Sequence, residues 1–307
     1  MAEAGAEETA EAEGRLLVVG AGTMGAQIAQ QAGLSGVDVE LVDNDAGQLD
    51  RATAENRRLL EDRVGKGKLD ADACEAALRR VVPSLDLEAS AARCAWAIEA
   101  VPERIELKRE VFAALDRHLR PEAGIATNSS NFVSSRLADA TQRPDRVLNM
   151  HFFHPVLVMD VCEVVRGPHT SADTAARAMA WARRIGRQPV LIEREIDGFV
   201  VNRVLGAASR EAYTLLAEGV ASVEDIDTAV RNGLNWPMGP FMLNDFSGLD
   251  TVLNVRRDRY AQEGRPGDRY TIEILERLVA AGRLGCKSGR GFYDWSTRPP
   301  TPLPLPE

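Results

Sequence analysis

Two groups of residues in this 307-residue chain are of types and spacings that could do chemistry. The first is the loop Gly20-Ala21-Gly22-Thr23-Met24-Gly25, which follows the apolar run Leu16–Val19 and opens a helical stretch. In that setting the first glycine permits a tight turn and the second lets backbone approach a pyrophosphate. The third lets helix and strand pack closely, and the helix start at Thr23 and Met24 faces the anion. Asp43 ends the next apolar run, Val37–Val42, about 18 residues past Gly25, where a carboxylate can accept hydrogen bonds from both adenosine ribose hydroxyls. A 2′-phosphate would meet Asp43 as a like charge, and Asn44 and Asp45 follow it rather than an arginine, so the pattern selects NAD over NADP. The second group is His151 with Glu163, on successive apparent strands. An imidazole titrating near neutrality suits removal of a hydroxyl proton as hydride leaves the same carbon. Taken alone, such a pair is more often structural.

The elements that must position these residues follow from the order of apolar runs. From Arg15 to about Ile192 short runs alternate with amphipathic stretches, the signature of a parallel sheet wrapped by helices. The runs are Leu16–Val19, Val37–Val42, Val81–Val82, Ala95–Val101, Ile125–Thr127, Val147–Phe152, Val158–Val165 and Pro189–Ile192. Residues 48–80, interrupted by Gly65-Lys66-Gly67-Lys68, read as an inserted helical hairpin. After Asp197-Gly198 the strand signals vanish, and Phe199–Gly219, Val223–Asn232, Phe241–Tyr260 and Arg269–Ala281 read as helices. Ser222 with Asp225 forms a capping box for the second of these, and Gly233 a stop. The expected fold class is therefore α/β, an N-terminal Rossmann-type doubly wound sheet followed by an all-helical C-terminal domain. The expected boundaries are a disordered acidic tail over 1–14, a nucleotide-binding domain over 15–196, a helical domain over 197–296 and a Pro-rich tail over 297–307.

Composition excludes several classes. A net charge of −9 opposes a broad nucleic-acid surface. Cys74, Cys94, Cys162 and Cys286 are far apart and form no CxxC pair, so neither a zinc site nor a disulfide framework is expected, and a cytoplasmic setting fits best. The first residues carry no Lys or Arg, which opposes a secretory or transit signal, and no run of about 18 apolar residues could span a membrane.

At Met150-His151-Phe152-Phe153-His154-Pro155 and Cys162-Glu163-Val164-Val165 the chain resembles the 3-hydroxyacyl-CoA dehydrogenase family. The resemblance extends through Gly20–Gly25, Glu99-Ala100-Val101-Pro102-Glu103, Asn128-Ser129-Ser130, Asp197–Arg203, Trp236–Phe241 and Lys287–Tyr293, in the family's order and spacing. It implies NAD-dependent oxidation of the 3-hydroxyl of an acyl thioester, or the reverse, with His151 as the proton-transferring residue and Glu163 orienting the imidazole. It further implies that Ser130 and Asn202 hydrogen-bond the substrate oxygens near the nicotinamide, that Glu103, Lys108 and Lys287 lie near the cofactor, and that Lys66 or Lys68 meets coenzyme A. As bare residues, Glu103, Lys108 and Lys287 read as solvated charges. The family's helical domain forms a cleft wall and commonly a homodimer interface, and Asp197-Gly198 would serve as a hinge.

Two positions depart from the family pattern: its HFFNP asparagine is His154 here, and the proline of its PGFxxNR is Asp197. Imidazole replaces a fixed amide with a larger ring that can take a charge, so His154 is expected either to replace the cofactor contact, to alter the pH dependence, or to mark a specialised substrate. Three readings follow: a CoA thioester, the same chemistry on an acyl-carrier-protein thioester or a free hydroxy acid, and an NAD-binding relative that has lost catalysis.

Overall fold

The structure, a computed structural model, describes residues 14–264 and 266–306, so the acidic tail expected over 1–14 lies almost wholly outside the described residues. The chain divides into two compact units between Val200 and Val201.

In the first unit the elements run β1 (Arg15–Val19), α1 (Thr23–Leu34), β2 (Val39–Val42), α2 (Ala46–Gly65), α3 (Ala71–Arg80), β3 (Val81–Ser84), α4 (Leu87–Ala91), β4 (Cys94–Glu99), α5 (Ile105–His118), β5 (Gly124–Thr127), β6 (Val147–Phe152), β7 (Val161–Val165), α6 (Ala172–Arg184) and β8 (Gln188–Ile192). The strands form one sheet in the order β3-β2-β1-β4-β5-β6-β7-β8. The order reverses direction between β1 and β4, and ligands of open α/β sheets bind beyond the carboxyl ends of strands at such a switch.

Continuous apolar runs are needed because both faces are covered. Leu16 and Val18 of β1 enter a core with Ile28, Trp96 and Trp181, while Leu17 and Val19 enter another with Phe112, Leu115 and Ile125. The expected hairpin is α2 and α3, whose N-termini are capped by the carboxylates of Asp45 and Asp70.

The expectation of a parallel sheet needs one correction. β6 and β7 pair antiparallel, because residues 153–160 between them are too few for a crossover, which takes a dozen or more. The strand expected from Val158 begins only at Val161, since Pro155 accepts the N–H groups of Val158 and Met159 in a turn.

The second unit comprises α7 (Val201–Ala217), α8 (Val223–Gly233), α9 (Pro240–Ser247), α10 (Leu249–Glu263) and α11 (Pro266–Ala280). Ser222 caps α8 through the N–H of Asp225, and that helix ends at Gly233. The single helix expected over Phe241–Tyr260 is two, α9 and α10, separated at Gly248, whose φ of +89° belongs to glycine and breaks the helical path. The Pro-rich ending folds back: Thr301–Pro302 pairs antiparallel with Tyr293–Asp294. No helix among the described residues is long and apolar enough to cross a membrane.

Asp245, fully buried, ties α9 to the chain end by accepting the N–H groups of Phe292 (2.9 Å) and Tyr293 (3.0 Å) and the indole N–H of Trp295 (2.9 Å). Replacing it with Ala leaves three donors without an acceptor, a loss of about 3 kcal/mol or more. The thermal midpoint of Asp245→Ala, followed by circular dichroism, is expected to fall by roughly 6–12 °C.

Candidate active site

The nucleotide end is built from backbone. Gly20 has φ +102°, and a Cβ on it would lie 2.7 Å from the carbonyl oxygen of Ala100 at the end of β4. A Cβ on Gly25 would fall 1.8 Å from the carbonyl oxygen of Gly20, so the loop can curl against its own helix only if both are glycine. Gly22 differs: it has φ −65°, ψ −178°, and a Cβ there would project into open space. Gly22 is the N-cap of α1 and no side chain caps the helix, so the N–H groups at the helix start face outward unclaimed by any side chain. Asp43 follows β2, and its carboxylate accepts the N–H of Ala21 (2.7 Å) and of Asp45 (3.0 Å), which fixes it against the glycine loop. A cleft of about 290 Å³ opens beside the loop and is lined by Gly22, Thr23, Gln48, Arg51, Glu55 and His154, among others. An uncapped helix start with a clear approach and a fixed carboxylate at the end of the second strand fits a dinucleotide diphosphate and its ribose.

The second group lies on β6 and β7. Their antiparallel register sets His151 directly opposite Glu163, so the two side chains share one face of the sheet. His151 Nδ1 is 2.8 Å from Glu163 Oε2, and both residues are buried. Glu163 Oε1 accepts the N–H of Val200 at 3.0 Å. An ionised carboxylate only accepts, so opposite one Nδ1 is the donor and Nε2 is the ring nitrogen left for another partner. Phe153 packs edge-on to the His151 ring at 4.4 Å and Phe199 at 5.5 Å, centroid to centroid.

The remaining expected residues fall into three places. Glu103, Lys108 and Ser130 gather at the carboxyl ends of β4 and β5. Ser130 stands on the turn after β5, and the neighbouring Ser129 hydroxyl donates to Glu103. Lys108, read from sequence as a solvated charge, is 1 % exposed: its ammonium lies 2.8 Å from Glu99 and 3.0 Å from Glu103. Lys66 and Lys68 stand exposed at the turn of the α2–α3 hairpin, Lys66 paired with Asp62 at 2.6 Å. That hairpin is fastened to the β6–β7 turn, because Arg63 donates to the carbonyl of Leu157 (2.8 Å) and Leu157 packs on Leu60, Cys74 and Ala77. Asn202 and Lys287 belong to the second unit. Asn202 is in the first turn of α7, and Lys287 contacts both carboxylate oxygens of Asp250 at 2.5 Å. Among the described residues no group of three or more His, Cys, Asp or Glu could hold a metal ion.

Known proteins resemble this chain over both units. The 3-hydroxyacyl-CoA dehydrogenase NAD binding domain matches residues 15–196, and the C-terminal domain of the same family matches residues 198–295. The chain belongs to the 3-hydroxyacyl-CoA dehydrogenase family. Its class is that of NAD-dependent oxidoreductases, and its cofactor is NAD. It is 38% identical to the 3-hydroxybutyryl-CoA dehydrogenase of Bradyrhizobium diazoefficiens over 286 residues, which cover 93% of this chain and 96% of that one. It is also 38% identical to a probable 3-hydroxybutyryl-CoA dehydrogenase of Bacillus subtilis, over 92% of this chain and 98% of the other. The crystal structure of (S)-3-hydroxybutyryl-CoA dehydrogenase from Ralstonia eutropha superposes with a TM-score of 0.84 at 37% identity, covering 93% of this chain and 100% of that chain.

Three features of the site carry no recognisable sequence signal. Phe199 holds φ +46°, unusual outside glycine, and so brings its ring to His151; a Phe in a sequence does not announce such a backbone. The N–H of Val200 serves Glu163, and every non-proline residue has one. Asn128, quoted above only as part of a motif, receives the N–H of Phe152 on its side-chain oxygen at 2.9 Å. The surrounding Asn-Ser-Ser run signals a turn but not that contact.

Gly22 and Gly20 predict opposite failures. Gly22→Ala is expected to fold with stability within about 0.5 kcal/mol of the parent and to bind NADH weakly in a fluorescence titration, because its methyl group enters the anion's approach. Gly20→Ala is expected to lose roughly 1–3 kcal/mol in denaturant unfolding, from positive φ and collision with Ala100.

Proposed function

We propose that the chain catalyses NAD-dependent oxidation of the 3-hydroxyl of an acyl-CoA thioester to the 3-oxoacyl-CoA, or the reverse, with His151 as general base and acid. The observation that carries this reading is the His151 Nδ1 to Glu163 contact of 2.8 Å across directly opposed strands. NAD, when bound, supplies the hydride acceptor. His151 Nε2 takes the hydroxyl proton as the C–H bond breaks, and returns it to the carbonyl oxygen in the reverse direction. Glu163 holds the imidazole in the tautomer that exposes Nε2 and stabilises the imidazolium that forms. Ser130 and Asn202 would hold the substrate oxygens, and Lys66 or Lys68 the phosphates of coenzyme A. Gly22, Thr23 and Met24 would receive the cofactor diphosphate, Asp43 the adenosine ribose, and Glu103, His154 and Lys287 would border the cofactor. The names of the relatives, 3-hydroxybutyryl-CoA dehydrogenases, support a short acyl chain and CoA as carrier. The exposed apolar residues Val201 and Val204 of α7 support a homodimer through the helical unit.

Acetoacetyl-CoA is expected to drive oxidation of NADH by the purified chain, read at the nicotinamide absorbance. The His151→Ala variant should lose turnover by a factor of about 10³–10⁴ while still binding NADH. Turnover close to the parent's would overturn the role given to His151. Offered at equal concentration, acetoacetyl-CoA should outrun the same acyl group on a carrier protein and the free acid; a faster carrier-protein thioester would replace CoA in this reading.

A further inference from the structure

Three arginines converge in the second unit around one carboxylate. Arg210 of α7 and Arg256 of α10 reach Asp268 Oδ1, in the first turn of α11, at 3.6 and 3.5 Å. Asp268 and Arg256 are buried, yet neither Asp268 Oδ1 nor Arg256 Nη1 makes a hydrogen bond. Arg256 Nη2 donates to the carbonyl of Gly206 on α7 at 3.2 Å. Burial disfavours the Arg256 charge; Asp268 offsets part of this, and Arg259 adds to it. Arg259 itself is half-buried and has no ion pair or hydrogen bond among the described residues.

The cations meet over Gly206. A Cβ there would lie 3.0 Å from Arg259 Nη1 and 3.6 and 3.8 Å from the two terminal nitrogens of Arg256, so two guanidinium groups face one point that no side chain fills. Like charges gathered away from water repel unless an anion joins them, and Asp268 balances only one of the three. The face of α7 that carries Gly206 begins at Asn202 and continues through Ser209 and Tyr213, by the three- and four-residue spacing of a helix. Ser209 and Tyr213 are buried and accept from the Asn244 amide at 3.2 and 3.1 Å, which leaves this face polar as well as positive. Asn202, given above to a substrate oxygen, stands one turn before Gly206, about 6 Å along the axis. A few carbons span that separation, so an acyl chain running along α7 from Asn202 brings its far end to Gly206.

We propose that Arg259 and Arg256 bind a carboxylate at the far end of the acyl chain, seated over Gly206, so that the substrate is a 3-hydroxyacyl thioester carrying a second, terminal carboxylate. The fork of N–H donors on a guanidinium matches the two oxygens of a carboxylate, and the missing side chain at Gly206 supplies the room. Arg259, the less buried of the pair, admits the anion. The inference rests on the active-site reading under Proposed function.

The test compares kcat/KM for 3-oxoadipyl-CoA with that for 3-oxohexanoyl-CoA, which has the same chain length and no terminal carboxylate. The parent is expected to prefer the former, and Arg259→Met to lower the ratio of the two roughly ten- to a hundredfold, with part of it restored in Arg259→Lys. Gly206→Ala keeps every charge and favours the helix, but its methyl group occupies the seat, so it too should lower the ratio. A parent without preference for the carboxylate, or a ratio unmoved in both Arg259→Met and Gly206→Ala, would overturn the proposal. A loss of oligomer mass in Arg259→Met by sedimentation, with the ratio unmoved, would give these arginines to a second copy of the chain and overturn it likewise. If the parent turns over neither thioester, the proposed activity fails instead, and calorimetry then decides the inference: 3-oxoadipyl-CoA must bind the parent more tightly than Arg259→Met, and equal affinities overturn it.

Discussion

The connection between β6 and β7 is the constraint on which the His151–Glu163 pair depends. Residues 153–160 cannot accommodate a crossover helix, so the chain reverses and the sheet acquires its one antiparallel pairing. Reversal puts opposed residues on the same face, and the pair formed by His151 and Glu163 is a direct consequence. A parallel continuation would place those strands in slanted register, with no partner squarely opposite. The same turn has a second task. Its Leu157 inserts among Leu60, Cys74 and Ala77 and its carbonyl accepts from Arg63, so the inserted hairpin and the strand of His151 are joined through one short segment.

The two ends of the site use different physics. The nucleotide end relies on backbone: an uncapped helix start, a loop that only glycine permits, and one fixed carboxylate. Its attraction for an anion comes from aligned peptide dipoles and changes little with pH. The end that holds His151 relies on side chains, and its geometry is specified by groups that accept and donate in one direction. Glu163 is held by the N–H of Val200, and the His151 ring is confined between Phe153 and Phe199. Phe199 keeps a left-handed backbone conformation to do so, at a cost on the order of 1–3 kcal/mol.

Sequence patterns revealed the parts of this arrangement that depend on local chemistry. The glycine loop, the acidic residue after β2 and the strand carrying His151 are each legible because a turn, a dipole or a periodic apolar run leaves a local trace. Antiparallel pairing of β6 with β7 left a trace as well, in the shortness of the link, but a run of apolar residues from Val158 hid the turn that separates them. The break between α9 and α10 was hidden by an uninterrupted helical pattern in which Gly248 looks like a tolerated glycine. Lys108 was least legible. Its neighbours Glu106, Arg109 and Glu110 are the charges of an exposed helix face, and only the fold shows that α5 turns this one lysine inward.

That inward lysine carries an energetic argument of its own. Removing an ammonium and a carboxylate from water costs several kcal/mol per ion, so a buried pair is poor evidence of stabilisation unless further hydrogen bonds satisfy both groups. Here they do. Glu99 has three donors, Lys108, Val101 and Thr127, and Lys108 has three acceptors, Glu99, Glu103 and the carbonyl of Val101. An apolar side chain at 108 would fill the space as well and avoid the desolvation, but it would not tie β4, β5 and the turn after β5 to one point. What the charge supplies is a fixed meeting point of β4, β5 and the turn after β5.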